Sequence, residues 1–156
     1  MLDDSGLSAI IRPLLSRYDG TINTMEHVNF LLVLVAAVAA ALIGYSWYHP
    51  KVFGTQWVHL SGITAHQAAR MRDPKYGAIA LLASLIIAYV MDNFGIAWGV
   101  YDWLGALSLG FWCWVGFVAP VLINSVIWEA KPLRLYAINV GYWLVTFMVM
   151  ALVLLY

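Results

Sequence analysis

Charge is what this chain has least of. Asp, Glu, Lys and Arg make up 10% of its 156 residues and 63% are hydrophobic. A soluble domain averages about a quarter charged residues, so this chain cannot be solvated on all sides and belongs to a membrane class. Formal net charge is zero, which removes any bulk argument for a nucleic-acid partner. The single cysteine, Cys113, rules out an intrachain disulfide and a cysteine-pair zinc site. Inside an apolar run, it reads as a small packing residue. Catalytic signatures are missing too. There is no G-x-S-x-G, Walker A or G-x-G-x-x-G, no paired carboxylates, and no nucleophile beside an evident base. The opening MLDDSG is acidic where a signal peptide is basic, and no small-residue cleavage pattern follows the first apolar run. That run therefore reads as a retained helix.

Long apolar runs fill most of what is present: Val28–Tyr48, Tyr76–Met91, Trp103–Trp128 and Leu135–Tyr156. A spanning helix takes about 20 apolar residues, so the second run is expected to continue past Asp92. Backbone polar groups in lipid must be satisfied within the segment, which leaves helix as the only option for such unalternating runs. The expected fold is all-α: a four-transmembrane-helix bundle with a short amphipathic helical hairpin between helices 1 and 2. Residues 49–75 hold Lys51, Arg70, Arg72 and Lys75, and the third connection holds Lys131 and Arg134, whereas only Arg12 and Arg17 fall on the other side. The positive-inside rule then makes 49–75 and 129–134 cytoplasmic and both termini external.

Residues 1–24 read as an appendage to a 25–156 membrane domain. Leu7, Ile10, Ile11, Leu14 and Leu15 recur at helical spacing, and a short interfacial helix is expected despite Pro13. Met25 fits an alternative translation start. Small residues recur along Ala36, Ala40 and Gly44, along Ala80, Ser84 and Ala88, and along Ala106, Gly110 and Cys113. Such stripes let backbones approach in lipid and favour a compact bundle over a wide pore. Pro120 should kink the third helix. In the first connection, Pro50 suits a first helical turn. Phe53, Trp57 and Leu60 share one face, Lys51, Thr55 and His59 another. Gly62 is a stop, and Thr64 with Gln67 matches a capping box. The first piece should lie flat at the headgroup level with Phe53 and Trp57 buried. Asp102 should cap the third helix.

The segment Gly44–Ile63, GYSWYHPKVFGTQWVHLSGI, resembles the family known as domain of unknown function 1761. The matching residues are Trp47, Tyr48, Pro50, Phe53, Gly54, Trp57, Leu60, Ser61 and Gly62. A second patch, WEAKPLRLYAINVGYWLV, is similar to that family's last hairpin at Glu129, Lys131, Pro132, Leu135, Tyr136, Asn139 and Gly141. The resemblance runs from about Met25 to the end. His49 departs from it, since the family often has a small polar residue there. The resemblance implies a four-helix bacterial inner-membrane protein and brings no activity with it.

Three constellations are candidates for chemistry. His49, His59 and His66 are potential ligands, but their spacings fit no standard metal motif. The plainer reading is interfacial helix residues, and no metal or other cofactor is expected. Asn124 and Asn139 lie one to two turns inside the membrane on neighbouring helices. The favoured reading is an interhelical hydrogen bond between them, worth on the order of 1 kcal/mol; the sharper one is a polar pocket open to the cytoplasm and completed by Ser125 and Glu129. Glu129 is otherwise a surface ion pair with Lys131 or Arg134. Asp92 is either a functional acid at membrane depth or part of a turn with Asn93 and Gly95. Trp47, Tyr48, Lys51, Phe53, Trp57, Arg70, Arg72, Lys75, Trp128, Lys131 and Arg134 form an anchoring belt facing lipid headgroups. The favoured function is a non-enzymatic accessory or scaffold protein packing with itself, membrane partners or lipid. Solute or ion transport through the pocket at Asn124, Glu129 and Asn139 is the alternative, and a metal-dependent membrane enzyme using His49, His59 and His66 comes third.

Overall fold

A computed structural model describes residues 27–70 and 73–155, and Arg12. The expectations for 1–24 and for Arg72 lie outside these residues, Arg12 apart. Four helical segments are long and apolar enough to cross a membrane: α1 (Phe30–Trp47), α4 (Pro74–Trp98), a broken third span over Trp103–Ile127, and α8 (Leu133–Val153). Two short helices, α2 (Thr55–Ser61) and α3 (Ala65–Arg70), form the hairpin between the first two spans. No strand occurs among the described residues. The chain is thus an all-α four-helix membrane protein.

Local chemistry accounts for the helix ends. The Asn29 side chain accepts the Leu31 and Leu32 N–H groups at the start of α1. Asp73 caps α4 through the Lys75 N–H at 3.1 Å, with Pro74 in the first turn. Asp102 caps α5 (Trp103–Cys113) through the Gly105 N–H at 3.2 Å. Thr64 and Gln67 form the reciprocal box: each side chain accepts the other's backbone N–H, at 2.7 and 3.2 Å. Gly62 and Gly99 end their helices in the left-handed region, at φ 70° and 64°. The turn after α4 therefore forms at Gly99, and Asp92 lies inside the helix rather than starting it.

The third span is interrupted at Pro120 as its chemistry requires. A wide π turn over Trp114–Val118 precedes α6 (Ala119–Leu122), and the Ala119 N–H reaches back five residues to the Trp114 carbonyl. A short α7 (Asn124–Ile127) follows. A tight turn then leads into α8, with Ala130 at φ 52°, a conformation uncommon outside glycine.

α1 packs along both α4 and α8, α8 packs along α5, and α4 and α5 meet less extensively. The small-residue stripes mark most of these seams. Ala36, Ala40, Ala88 and Ala106 are fully buried, with Ser84 and Cys113 nearly so. Gly110 brings α5 against α8 so closely that a Cβ there would sit 2.9 Å from the Phe147 carbonyl oxygen. Gly44 is half-buried, and Ala80 is exposed, as is every residue from Asp73 to Ala80. Asp92 is buried at 2% exposure and accepts the Asn29 backbone N–H at 3.2 Å, joining α4 to the start of α1.

Candidate functional site

Several polar side chains converge where the hairpin folds back on α8. Thr55 and Trp57 stand on α2, which follows the Pro50–Gly54 π turn directly. His49 caps this turn by accepting the Lys51 N–H at its Nδ1. Gly54 is required there for space: a Cβ would run into the Tyr48 carbonyl oxygen, although the backbone itself is ordinary right-handed helix.

Asn139 is the centre of the cluster. Its Oδ1 accepts the Trp57 indole N–H at 3.0 Å and the Tyr48 hydroxyl at 3.1 Å. An indole nitrogen only donates, so it is the amide oxygen that must face it. One residue earlier, the Ile138 carbonyl accepts the Trp47 indole N–H at 3.2 Å. The rings pack together as well: Trp47 with Phe53 at 4.8 Å, and Tyr48 with Trp57 at 5.5 Å and with Tyr142 at 5.2 Å between centroids. Burial, and beyond it the neighbouring Tyr142 phenol, holds Tyr48 far above the usual phenol range, so it remains a neutral donor. On the third span, Trp114 donates to the Val140 carbonyl at 2.9 Å. Lys131 ties the two connections together, its Nζ donating to the Ser61 carbonyl at the end of α2 at 2.9 Å.

The three residues of the candidate polar pocket share no hydrogen bond among the described residues. Asn124 and Glu129 are exposed, while Asn139 is engaged by Trp57 and Tyr48 from the hairpin side. Ser125 bonds back to the Leu122 carbonyl at 2.8 Å. Glu129 pairs with neither Lys131 nor Arg134. Among the described residues the sole ion pair is Lys75–Asp73 at 2.9 Å, and those Lys75 hydrogen bonds hold the Asp73 carboxyl below its usual range. Sequence reasoning found Asn139 and missed its partners. The signal was present, in that Trp and Tyr are amphipathic rings with one group to satisfy, but their fold-back onto α8 was not readable.

The expected anchoring belt divides by geometry. Trp47, Tyr48, Phe53 and Trp57 turn toward the protein, half-buried against one another and α8. Lys51, Arg70, Lys75, Trp128 and Arg134 point outward, Trp128 at 81% exposure. His59 and His66 are also exposed, and no group of three His, Cys, Asp or Glu side chains converges among the described residues. Beside the cluster, between the last turn of α1 and the hairpin, lies a groove of about 990 Å³. Its walls include Tyr45, Tyr48, His49, Trp57, Val58 and Ala68.

No curated protein and no solved structure matches this chain. A family model matches residues 31–155, a stretch that contains all of α1 but its first residue, the hairpin, the Asn139 cluster and the whole of α8. On that match the chain belongs to the family described as "Protein of unknown function (DUF1761)".

Proposed function

We propose that this protein is a non-enzymatic accessory or scaffold protein of the bacterial inner membrane. It packs against membrane partners, a second copy of itself or lipid. The observation that carries this reading is how the polar side chains at the hairpin rim are used. Trp47, Tyr48, Trp57, Lys131 and Asn139 are committed to one another or to backbone carbonyls. These bonds lock the hairpin onto α8 and build a fixed aromatic surface at the membrane edge. A group held in such a network is positioned for recognition, while its donors are already engaged. The basic residues Lys51, Arg70, Lys75, Lys131 and Arg134 share this rim, and the positive-inside rule directs it to the cytoplasm with both termini outside.

The test is the assembly state of the full chain. Purified in several mild detergents, it is expected to run as an oligomer or with stoichiometric membrane partners, by light scattering and mass spectrometry. A monodisperse monomer in every detergent would count against the assembly role.

A further inference from the structure

We propose that the groove between α1 and the hairpin holds one anionic phospholipid, its acyl chain against the aromatic wall and its phosphate at the rim. This rests on the lipid-contacting part of the preceding reading and names the ligand.

The groove begins at bilayer depth and ends at the rim. Gly44 and Tyr45 belong to the last turn of a membrane-spanning helix, whereas Val58 and Ala68 belong to the hairpin. A cavity of about 990 Å³ lies at the upper end of the range for small-molecule sites. Its wall is mainly apolar and aromatic, and no Asp or Glu lines it among the described residues. Among the lining side chains, His49 offers a donor. His49 accepts the Lys51 N–H at Nδ1, so a neutral ring carries its proton on Nε2. Lys51 follows Pro50 of the groove lining directly, and Arg70 lies two residues beyond Ala68. Both are exposed, and neither forms an ion pair among the described residues.

An apolar wall with an N–H in its lining, and with two cations one and two residues away along the chain, complements an amphiphile with an anionic head. A second copy of the chain fits less well, because it would have to supply carboxylates. Of the described acids near this rim, Asp73 is already paired with Lys75, leaving Glu129. Phospholipid headgroups stand at this depth in every membrane the protein could occupy, and a basic cluster beside a spanning helix favours the anionic ones.

The experiment is native mass spectrometry of the full chain in a neutral detergent, titrated with phosphatidylglycerol or phosphatidylcholine of matched acyl chains. One phosphatidylglycerol is expected to bind, with about tenfold preference over phosphatidylcholine. Ala68→Trp, which fills the groove, should weaken both lipids by about tenfold or more. Lys51→Gln combined with Arg70→Gln should bring phosphatidylglycerol down to the phosphatidylcholine level and leave the latter unchanged. Ile127→Trp, on an exposed surface elsewhere, controls for added bulk and should change nothing. Unfolding midpoints of all variants are read alongside to separate loss of lipid from loss of fold. Equal binding of both lipids, or phosphatidylglycerol binding untouched by Ala68→Trp in a folded variant, overturns the proposal. So does a Val58→Cys disulfide joining two copies in a Cys113→Ser background, since a second copy would then occupy the groove. The two readings fail separately. A monomer that binds phosphatidylglycerol selectively keeps this proposal and removes the assembly role, and an assembled protein indifferent to it does the reverse.

Discussion

Trp57 donates its indole N–H to the side-chain oxygen of Asn139 at 3.0 Å, across 82 residues of chain. The same oxygen accepts the Tyr48 hydroxyl, so one amide joins the end of α1, the hairpin and α8. Removing the acceptor leaves two partly buried donors without a partner. Asn139→Ala should therefore destabilise the protein by about 2–3 kcal/mol in detergent unfolding experiments. Trp57→Phe should cost less, and the double variant should reveal a coupling of about 1 kcal/mol. Strict additivity would show that the bond contributes nothing.

Glycine substitutions should separate space from propensity. Gly54→Ala forces a methyl into the Tyr48 carbonyl, so the π turn must open and the hairpin lose its register on α8. Gly77, near the start of α4, has open space where a methyl would stand, with nothing within 4 Å. Gly77→Ala should be neutral or stabilising by roughly 0.5–1 kcal/mol, the helix-propensity gain. Thermal melts followed by tryptophan fluorescence would check both. Equal melting temperatures for the two variants would contradict the close packing at Gly54.

Ala130 bears a steric penalty at φ 52° in the turn before α8. Ala130→Gly should relieve about 1 kcal/mol, provided the turn keeps its Lys131 N–H bond to the Ser125 carbonyl. A lower unfolding midpoint for this variant would argue against the left-handed turn.

Tyr48 supplies a pH signature. Its pKa is raised in the fold, first by burial and then by Tyr142. A group shifted in this direction adds stability that is fully present below the ordinary phenol value near 10. That stability is lost as pH rises from there toward the folded value. In an alkaline absorbance titration, Tyr48 should still be a neutral phenol near pH 11. The difference between wild type and Tyr48→Phe should therefore be flat through the normal tyrosine range. A full tyrosinate increment titrating near 10 would contradict the burial.

Orientation is open to single-cysteine labelling in a Cys113→Ser background. Gln56 in α2 and Tyr101 between the second and third spans are both exposed and at opposite ends of α4. With an impermeant maleimide on intact cells, Tyr101→Cys should label at once and Gln56→Cys only after permeabilisation. The reverse pattern would invert the proposed topology.

The features legible in the chain alone are those set by neighbours in sequence. Run lengths identify the four spans, and Asp102, Gly62, Pro50 and the Thr64–Gln67 pair locate helix ends, because capping acts over three or four residues. The depth of Asn139 could be read from its distance to the 129–134 connection. Its azimuth could not. Helices such as α1 and α8 are apolar on nearly every side, so no polar stripe reports which face turns inward. Asn124 and Asn139 therefore read as partners along the chain, and only rotation of the helices in the packed bundle separates them.

By itself the sequence determined the class of protein, the number of spans and the family patches, since lipid leaves a backbone no alternative to helix. Tertiary structure alone decided that the hairpin returns to α8, that Trp57 and Tyr48 meet at Asn139, and that a groove opens beside them. Those outcomes depend on which small residues let which backbones approach, as at Gly110 against Phe147. Packing across distant segments is a property of surfaces in contact, and no local pattern encodes it.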